Sequence, residues 1–318
     1  MQPTSSNMNG TIKTINTMKK TALFLMALVA SLTFAFAGEA AKNTYNHHYD
    51  FKDFTTLSVS HSFQVDFTFS DDWTVDVSVP DFIQPYLKVT CTGGKVRIGL
   101  EKLPKDIQRK LNNQSTPLQA TVRMPKLLSL NMSGATRLTA SGSQVLDHEN
   151  LHIDVSGASK VFDLKSEGNG ILNIDCSGAS NVEIAASFKL ANLDVSGASH
   201  MELAGNFDKV NLDCSGASGC SLEGDVKDAN MDISGSSKVT MNGNTGKLHL
   251  DQSGASKFES YGETSAADVE LSGAAKCRLT VTKKLDYELS GASTLRVKDL
   301  GASISGETNR GSKLSFER

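Results

Sequence analysis

Beyond residue 125 the chain alternates apolar and polar residues in short bursts. Between the bursts stands a nearly constant phrase, as in "DVSGASK", "DCSGASN" and "DQSGASK". With the glycine of each Ser-Gly pair set to zero, the phrases fall at Gly134, Gly157, Gly178, Gly197, Gly216, Gly235, Gly254, Gly273 and Gly291. The first two gaps are the longest, the rest are nearly constant, and a worn tenth copy, "RGSKLSF", carries Gly311. Aligned this way, apolar residues fill the columns at −6, −4 and −2 (Leu151, Ile153 and Val155 in one copy) and again at +4 and +6 (Val182 and Ile184 at the Gly178 copy, Met201 and Leu203 at the next). Alternation with a period of two on both sides of the glycine predicts strand, bend, strand. Polar turns such as "EGNG", "AGNFDK" and "NGNTGK" then lead to the next copy.

A steady period of about 19 residues is the mark of a solenoid. Coils of two or three short strands, stacked about 4.8 Å apart, give an all-β parallel β-helix with the apolar columns inside. Parallel crossovers are right-handed as a rule, so a right-handed helix is expected. A leucine-rich horseshoe has a similar period but needs an L-x-x-L-x-L spacing that the chain lacks. Upstream, "FTTLSVSHSFQVDFTFS", "WTVDVSVP", "YLKVTC", "KVRIGL" and "LQATVRMP" read as strands of less regular spacing, with a short helix over Lys105 to Leu111. Residues 38–125 are therefore expected to form an N-terminal cap and irregular first coils. Residues 126–318 are expected to form the regular repeats, within one continuous domain over 45–318.

Residues 1–37 read as a signal peptide. Lys19 and Lys20 precede an apolar run from Thr21 to Phe36 that ends in Ala35-Phe36-Ala37, an A-x-A cleavage pattern. Met18 stands directly before the lysines, which makes 1–17 a candidate for a mis-called start. The run is short for a membrane span, and no second one follows, so no transmembrane segment is expected in the mature chain. Export to the periplasm, the cell surface or the medium is expected. Cleavage removes three lysines and no acid, leaving 29 basic against 35 acidic side chains, a net charge of about −6. That balance speaks against nucleic acid and against docking on anionic lipid.

"FTTLSVSHSFQVDFTFSDDWTVDVSVPDFIQPYLKV", "KVRIGL" and "VRMPKLLSLNMSGAT", followed by the Ser-Gly-Ala-Ser array, resemble the head GIN domain family of auto-transporter adhesins exported by Bacteroidetes and other bacteria. The resemblance runs from about Tyr45 to Arg318. It implies a right-handed parallel β-helix, an extracytoplasmic location and an adhesin or lipid-binding role, and it brings no catalytic residues and no cofactor. The chain stays repeat-like to Arg318 without barrel strands, so self-export through a membrane barrel is not expected.

Four groups invite chemistry. The serines at −1, from Ser133 to Ser290, repeat nine times, whereas a nucleophile needs one base and one oxyanion hole. They read as a hydroxyl ladder at a tight bend, so no catalytic residue is expected. The column at −3 is acidic, with Asp154, Asp175, Asp194, Asp213, Asp232 and Asp251 followed by Glu270 and Glu288. Beside it, at −5, stand Asn173, Asn192, Asn211 and Asn230. Both columns face outward by parity. Asp175, Asp194, Asp213 and Asp232 are weak cation candidates, although the G-G-x-G-x-D calcium repeat is missing. The lysines at +3 (Lys160, Lys238, Lys257, Lys276) are expected to neutralise part of the column. Of five cysteines, Cys176, Cys214, Cys220 and Cys277 sit in apolar columns as core filler. Only Cys214–Cys220, across one bend, is open to a disulfide, and Cys91 has no assigned role. His152 and His249 share a column five coils apart, too far to share a metal. His47-His48 falls in what reads as a mobile leader.

Three classes of function follow. The leading one is a non-enzymatic adhesin-like scaffold presenting its polar repeat face to a glycan, matrix or protein partner. The alternative is a lipid- or envelope-associated structural protein, with end-to-end self-association at the open strand edges. The third, a polysaccharide lyase or hydrolase, needs long loops around a cleft, and the near-constant coil length leaves little chain for them.

Overall fold

Each Ser-Gly-Ala-Ser phrase has to turn the chain sharply and leave room for an identical phrase one coil away. The computed structural model describes residues 44–317 and shows how both demands are met. At the bend the glycines from Gly134 to Gly291 take φ between +66° and +83°, the left-handed region that L side chains resist. The carbonyl of each of these glycines from Gly134 to Gly273 accepts a hydrogen bond from the amide two residues past the next serine, as in Ala198 N–H to Gly178 O at 2.8 Å and Ala217 N–H to Gly197 O at 2.8 Å. That bond draws the coils so close that a Cβ on Gly197 would lie 2.5 Å from Gly178 O, and one on Gly216 would lie 2.6 Å from Gly197 O. Glycine is thus required twice over.

Between bends the strands pair in parallel with the coil before and the coil after. Leu193, Leu212 and Met231 stand in register, as do Asp194, Asp213 and Asp232. The result is a β-solenoid of about ten turns, as the repeat predicts. The columns at −6, −4, −2, +4 and +6 are buried almost throughout and fill the interior. A further inward column lies at −9, with Phe188, Phe207, Val226, Thr245 and Thr264. It is three residues from the next inward position, Val210 after Phe207, so the chain turns a corner there. We call the sheet at −7 to −2 the pre-bend face and the sheet after the glycine the post-bend face.

The second serine of the phrase is the buried one. Ser180, Ser218 and Ser256 at +2 donate to the carbonyls of Ser177, Ser215 and Ser253 at 2.6–2.7 Å, closing the bend from inside. Ala275 holds the same place in one coil, so the hydroxyl is a stabiliser and not an obligation. One of the two extra residues between Gly157 and Gly178 sits in a bulge between Val161 and Leu164, with Asp163 at φ +60°, and the other enters at the turn between Glu167 and Ile171.

The chain enters through β1 (Thr44–Tyr49), β2 (Thr56–Val59) and β3 (Phe63–Phe69). It then runs outward through β4 (Thr74–Pro80), β5 (Leu87–Thr92), β6 (Lys95–Leu100), α1 (Lys105–Asn112) and β7 (Leu118–Met124). It returns as β8 (Ser129–Met132) and β9 (Arg137–Ser141). The β2–β3 segment is a full coil: β2 pairs in parallel with β8, and β3 with β9. His61 occupies the glycine place, with φ +72°, and its carbonyl accepts from Ala135 N–H at 2.9 Å. Beyond this coil β5–β6 and β4–β7 pair antiparallel and close the end. The helix expected over Lys105 to Leu111 is α1.

Three expectations change. His47-His48 is not a leader: it lies on β1, where His48 Nδ1 meets Asp76 Oδ1 at 2.7 Å. Gly311 is not the tenth glycine. Leu289 pairs with Thr308 and Thr294 with Lys313, which sets Arg310 in the glycine column and Gly311 in the alanine column. The last coil therefore keeps the common length, and the slip of one arises because the bend itself, not a fixed glycine, carries the register. No disulfide joins Cys214 and Cys220, as all five cysteines are free. The signal peptide expected at 1–37 lies outside the described residues.

Gly216→Ala should lose at least about 2 kcal/mol, from the left-handed φ and the overlap with Gly197 O together. Its denaturant midpoint is expected to fall well below that of Ala217→Ser, which copies Ser236 of the next coil.

Candidate functional site: the stacked asparagine and aspartate face

On the pre-bend face the parallel register turns each sequence column into a straight row of one residue type. At −5 the asparagines form a continuous amide chain. Asn192 Nδ2 donates to Asn173 Oδ1 at 2.9 Å, Asn211 to Asn192 at 2.8 Å, and Asn230 to Asn211 at 3.2 Å. His152 pairs with Asn173 at one end and His249 with Asn230 at the other, so two imidazoles bound the row. The asparagines are half-buried. The inner two, Asn192 and Asn211, each spend one N–H and one lone pair along the row, leaving a second N–H and lone pair for a partner, while Asn173 only accepts and Asn230 only donates.

The acidic column stands beside it at −3. Asp175, Asp194, Asp213 and Asp232 lie in consecutive coils and are exposed, and no lysine, arginine or histidine pairs with them among the described residues. Neighbouring carboxylates one coil apart repel by roughly 1 kcal/mol in water-like surroundings. The effect shows at Asp232, whose carboxyl is pushed above the ordinary 3.8 by partial desolvation and then by Asp213 and Asp251. The four cation candidates are thus brought into one row, and no set of three metal-ligating side chains closes around a point among the described residues.

The lysines at +3 do not neutralise this row. They lie across the bend on the post-bend face, where Lys257 meets Glu259 at 2.8 Å and Lys238 meets it at 3.9 Å. The serines at −1 are half-buried except for the exposed Ser133, and Ser156 and Ser290 donate to the carbonyls of Met132 and Leu271 at 3.3 Å. None of them meets a histidine among the described residues. A Ser–His contact does occur elsewhere, from Ser60 to His61 Nδ1 at 2.9 Å, but it shares that nitrogen with the Leu100 amide at 3.2 Å. No carboxylate contacts the ring among the described residues, so no triad is formed. Cys176, Cys214, Cys220 and Cys277 are buried, and burial drives their thiols up, Cys176 to about 11. Such thiols are inert packing groups at neutral pH. Cys91 lies half-buried on β5.

A family model described as "Putative auto-transporter adhesin, head GIN domain" matches residues 53–219 and 181–299. The chain belongs to this family. A search of curated proteins finds no match. Among solved structures, this head GIN domain is similar to a "putative adhesin" from Parabacteroides distasonis ATCC 8503 at 14% identity. That match covers 86% of this chain and 97% of the other, with a TM-score of 0.48. A "Putative lipid binding protein" from the same organism shares 15%, over 87% and 98%, at 0.45. A "putative adhesin" from Parabacteroides merdae ATCC 43184 shares 12%, over 87% and 98%, at 0.46.

The acidic row of the head GIN domain yields a pH prediction. A raised carboxyl pKa means the folded chain holds its proton more tightly than the unfolded chain, so Asp232 lowers stability at neutral pH. Asp232→Asn should raise the thermal midpoint at pH 7, and the gain should shrink as pH falls toward 3.8. Asp194→Asn with Asp213→Asn should likewise leave stability level or higher. A loss that added calcium prevents in the parent chain would instead mark the row as a cation site.

Proposed function

We propose that this chain is an exported, non-enzymatic adhesin-like scaffold whose Asn–Asp face binds a hydroxyl-rich partner, a glycan above all. The observation that carries the reading is the amide row from Asn173 to Asn230, pre-ordered by its own hydrogen bonds at 2.8–3.2 Å. A sugar hydroxyl both donates and accepts. The amide row offers both functions, and the adjacent carboxylates add strong acceptors at a fixed spacing of about 4.8 Å. Because the ladder holds the side chains in place, little conformational entropy is lost on binding. The family description supports the adhesin class and an envelope or extracellular location.

Enzymatic turnover finds no support in the geometry: the serines lack a base, and the acids form a row and not a pair across a cleft. For the lipid-binding alternative, the interior is filled by Leu, Val, Ile and Phe at a few per cent exposure, so an acyl chain has no place inside the coils. Among the described residues no helix is long and apolar enough to cross a membrane.

The test is an array of glycans, matrix proteins and lipids probed with the purified chain and with Asn192→Ala/Asn211→Ala. Glycan binding that drops at least about tenfold in the variant is expected, since two hydrogen bonds of about 1 kcal/mol each are removed. Unchanged binding, or turnover of a polysaccharide, contradicts the reading. For export, mass spectrometry of the envelope fraction should find a mature N-terminus at Gly38.

A further inference from the structure

The post-bend face changes sign along the solenoid. In its middle coils the outward residues include Glu183, Glu202 and Glu223. In its last coils they turn basic. Lys238, Lys257 and Lys276 stand directly opposite one another in register, followed by Thr294 and Lys313. The next outward column carries Arg278 and Arg296, and the one beyond it Lys298. The pre-bend face of the same coils carries Asp232, Asp251, Glu270 and Glu288 at −3, with Lys247 and Lys284 at −7, so the basic columns lie across the bend from an acidic one. Like charges directly opposite across a ladder are destabilising, and only Glu259 and Glu317 offset this row from within, among the described residues.

Those two carboxylates show what the cations accept. Glu259 lies between Lys257 and Lys238, and Glu317 is held by a two-pronged contact from Arg278 Nε and Nη2 at 2.7–3.0 Å. Lys276, Arg296, Lys298 and Lys313 form no ion pair within 4 Å among the described residues. Lys257, Glu259, Lys276, Arg278, Thr294 and Arg296 line a depression over the strand segments that carry the buried Phe258 and Cys277, so Glu259 is the one carboxylate among its cations. On the same strand as Glu259, Tyr261 stands 58% exposed, near enough to Arg278 to be a minor contributor to its raised pKa. An exposed aromatic ring next to cations is a platform on which the apolar side of a sugar ring can lie.

We propose that this strip binds an extended anionic polysaccharide carrying uronate carboxylates. The cations repeat at the coil spacing of about 4.8 Å, comparable with the length of one pyranose unit. A chain laid along the solenoid axis therefore meets one cation per sugar, with Tyr261 under one ring. The strip is separate from the Asn–Asp face, and its test stands independently of that site.

The experiment measures binding of the full chain to immobilised polygalacturonate, with neutral galactan, a sulfated polysaccharide and duplex DNA as the other arms. Wild type is expected to bind polygalacturonate best, with affinity falling steeply as salt rises, since cation contacts release counterions. Lys257→Gln/Lys276→Gln/Arg296→Gln should weaken it at least tenfold and flatten the salt dependence. Tyr261→Ala should weaken it several-fold and leave the salt dependence intact, which separates ring stacking from charge. Lys189→Gln/Lys209→Gln/Lys247→Gln, on the other sides of the same solenoid, should bind like wild type. The proposal is overturned if the strip variant binds polygalacturonate like wild type, if that variant weakens galactan binding equally, or if no arm binds at low salt. Equal or tighter binding to DNA or to the sulfated chain also overturns it, because that is attraction to any polyanion.

Discussion

The structure depends on the close approach of glycine to glycine along the bends from Gly134 to Gly291. The bond from the Ala217 amide to Gly197 O, and its equivalents in each coil, sets how near consecutive bends can come. At that distance no Cβ fits, and the positive φ would strain one in any case. Once the bends stack without offset, the strands between them have only one register available. A slip of one residue would turn every buried Leu, Val and Ile outward. Bend and core therefore enforce the same alignment, which is why coil length varies so little along the repeats.

Perfect register has a consequence for every outward residue: it meets its own kind at about 4.8 Å. For asparagine this is favourable, because an amide can donate to the next amide and accept from the previous one. For aspartate it is unfavourable, and Asp232 holds its proton more tightly through partial desolvation first and the Asp213 and Asp251 charges second. For lysine on the post-bend face it is again unfavourable, relieved in part by Glu259. A β-helix thus converts sequence repetition into linear arrays of one chemistry, suited to linear repeating partners more than to a single small molecule in a cleft. Family membership supports the adhesin class.

The inward columns on either side of the glycine were legible because period-two alternation survives in each coil, and the outward Asn and Asp rows followed from parity. What stayed hidden broke that period or that spelling. The −9 column of Phe188 and Phe207 follows a corner, where inward positions are three residues apart, so alternation counted back from the glycine misses it. The first coil was hidden because His61 replaces glycine in "LSVSHSF", yet the apolar positions Leu57, Val59 and Val65 match Leu130, Met132 and Leu138 of the next coil. Reading columns before spelling would have found it. Gly311 misled for the opposite reason, as it kept the spelling while the register moved by one. The lysines at +3 were expected beside the acids because they are near in sequence, but a bend sends the two onto different faces. Pairing of His48 with Asp76 joins residues of β1 and β4 and has no local signature.

If the bends form a continuous hydrogen-bonded ladder that the whole solenoid relies on, their amides must be as protected as those of the strands. Native-state hydrogen exchange of the folded chain measures this directly. Ala198, Ala217 and Ala255 are each exposed at the surface yet bonded to the preceding glycine carbonyl at 2.8 Å. They should exchange on the timescale of Leu193, Leu212 and Leu250 in the adjoining strands. Exchange as fast as an unprotected turn, with the strand amides still slow, would contradict the account and leave the apolar columns alone to hold the register.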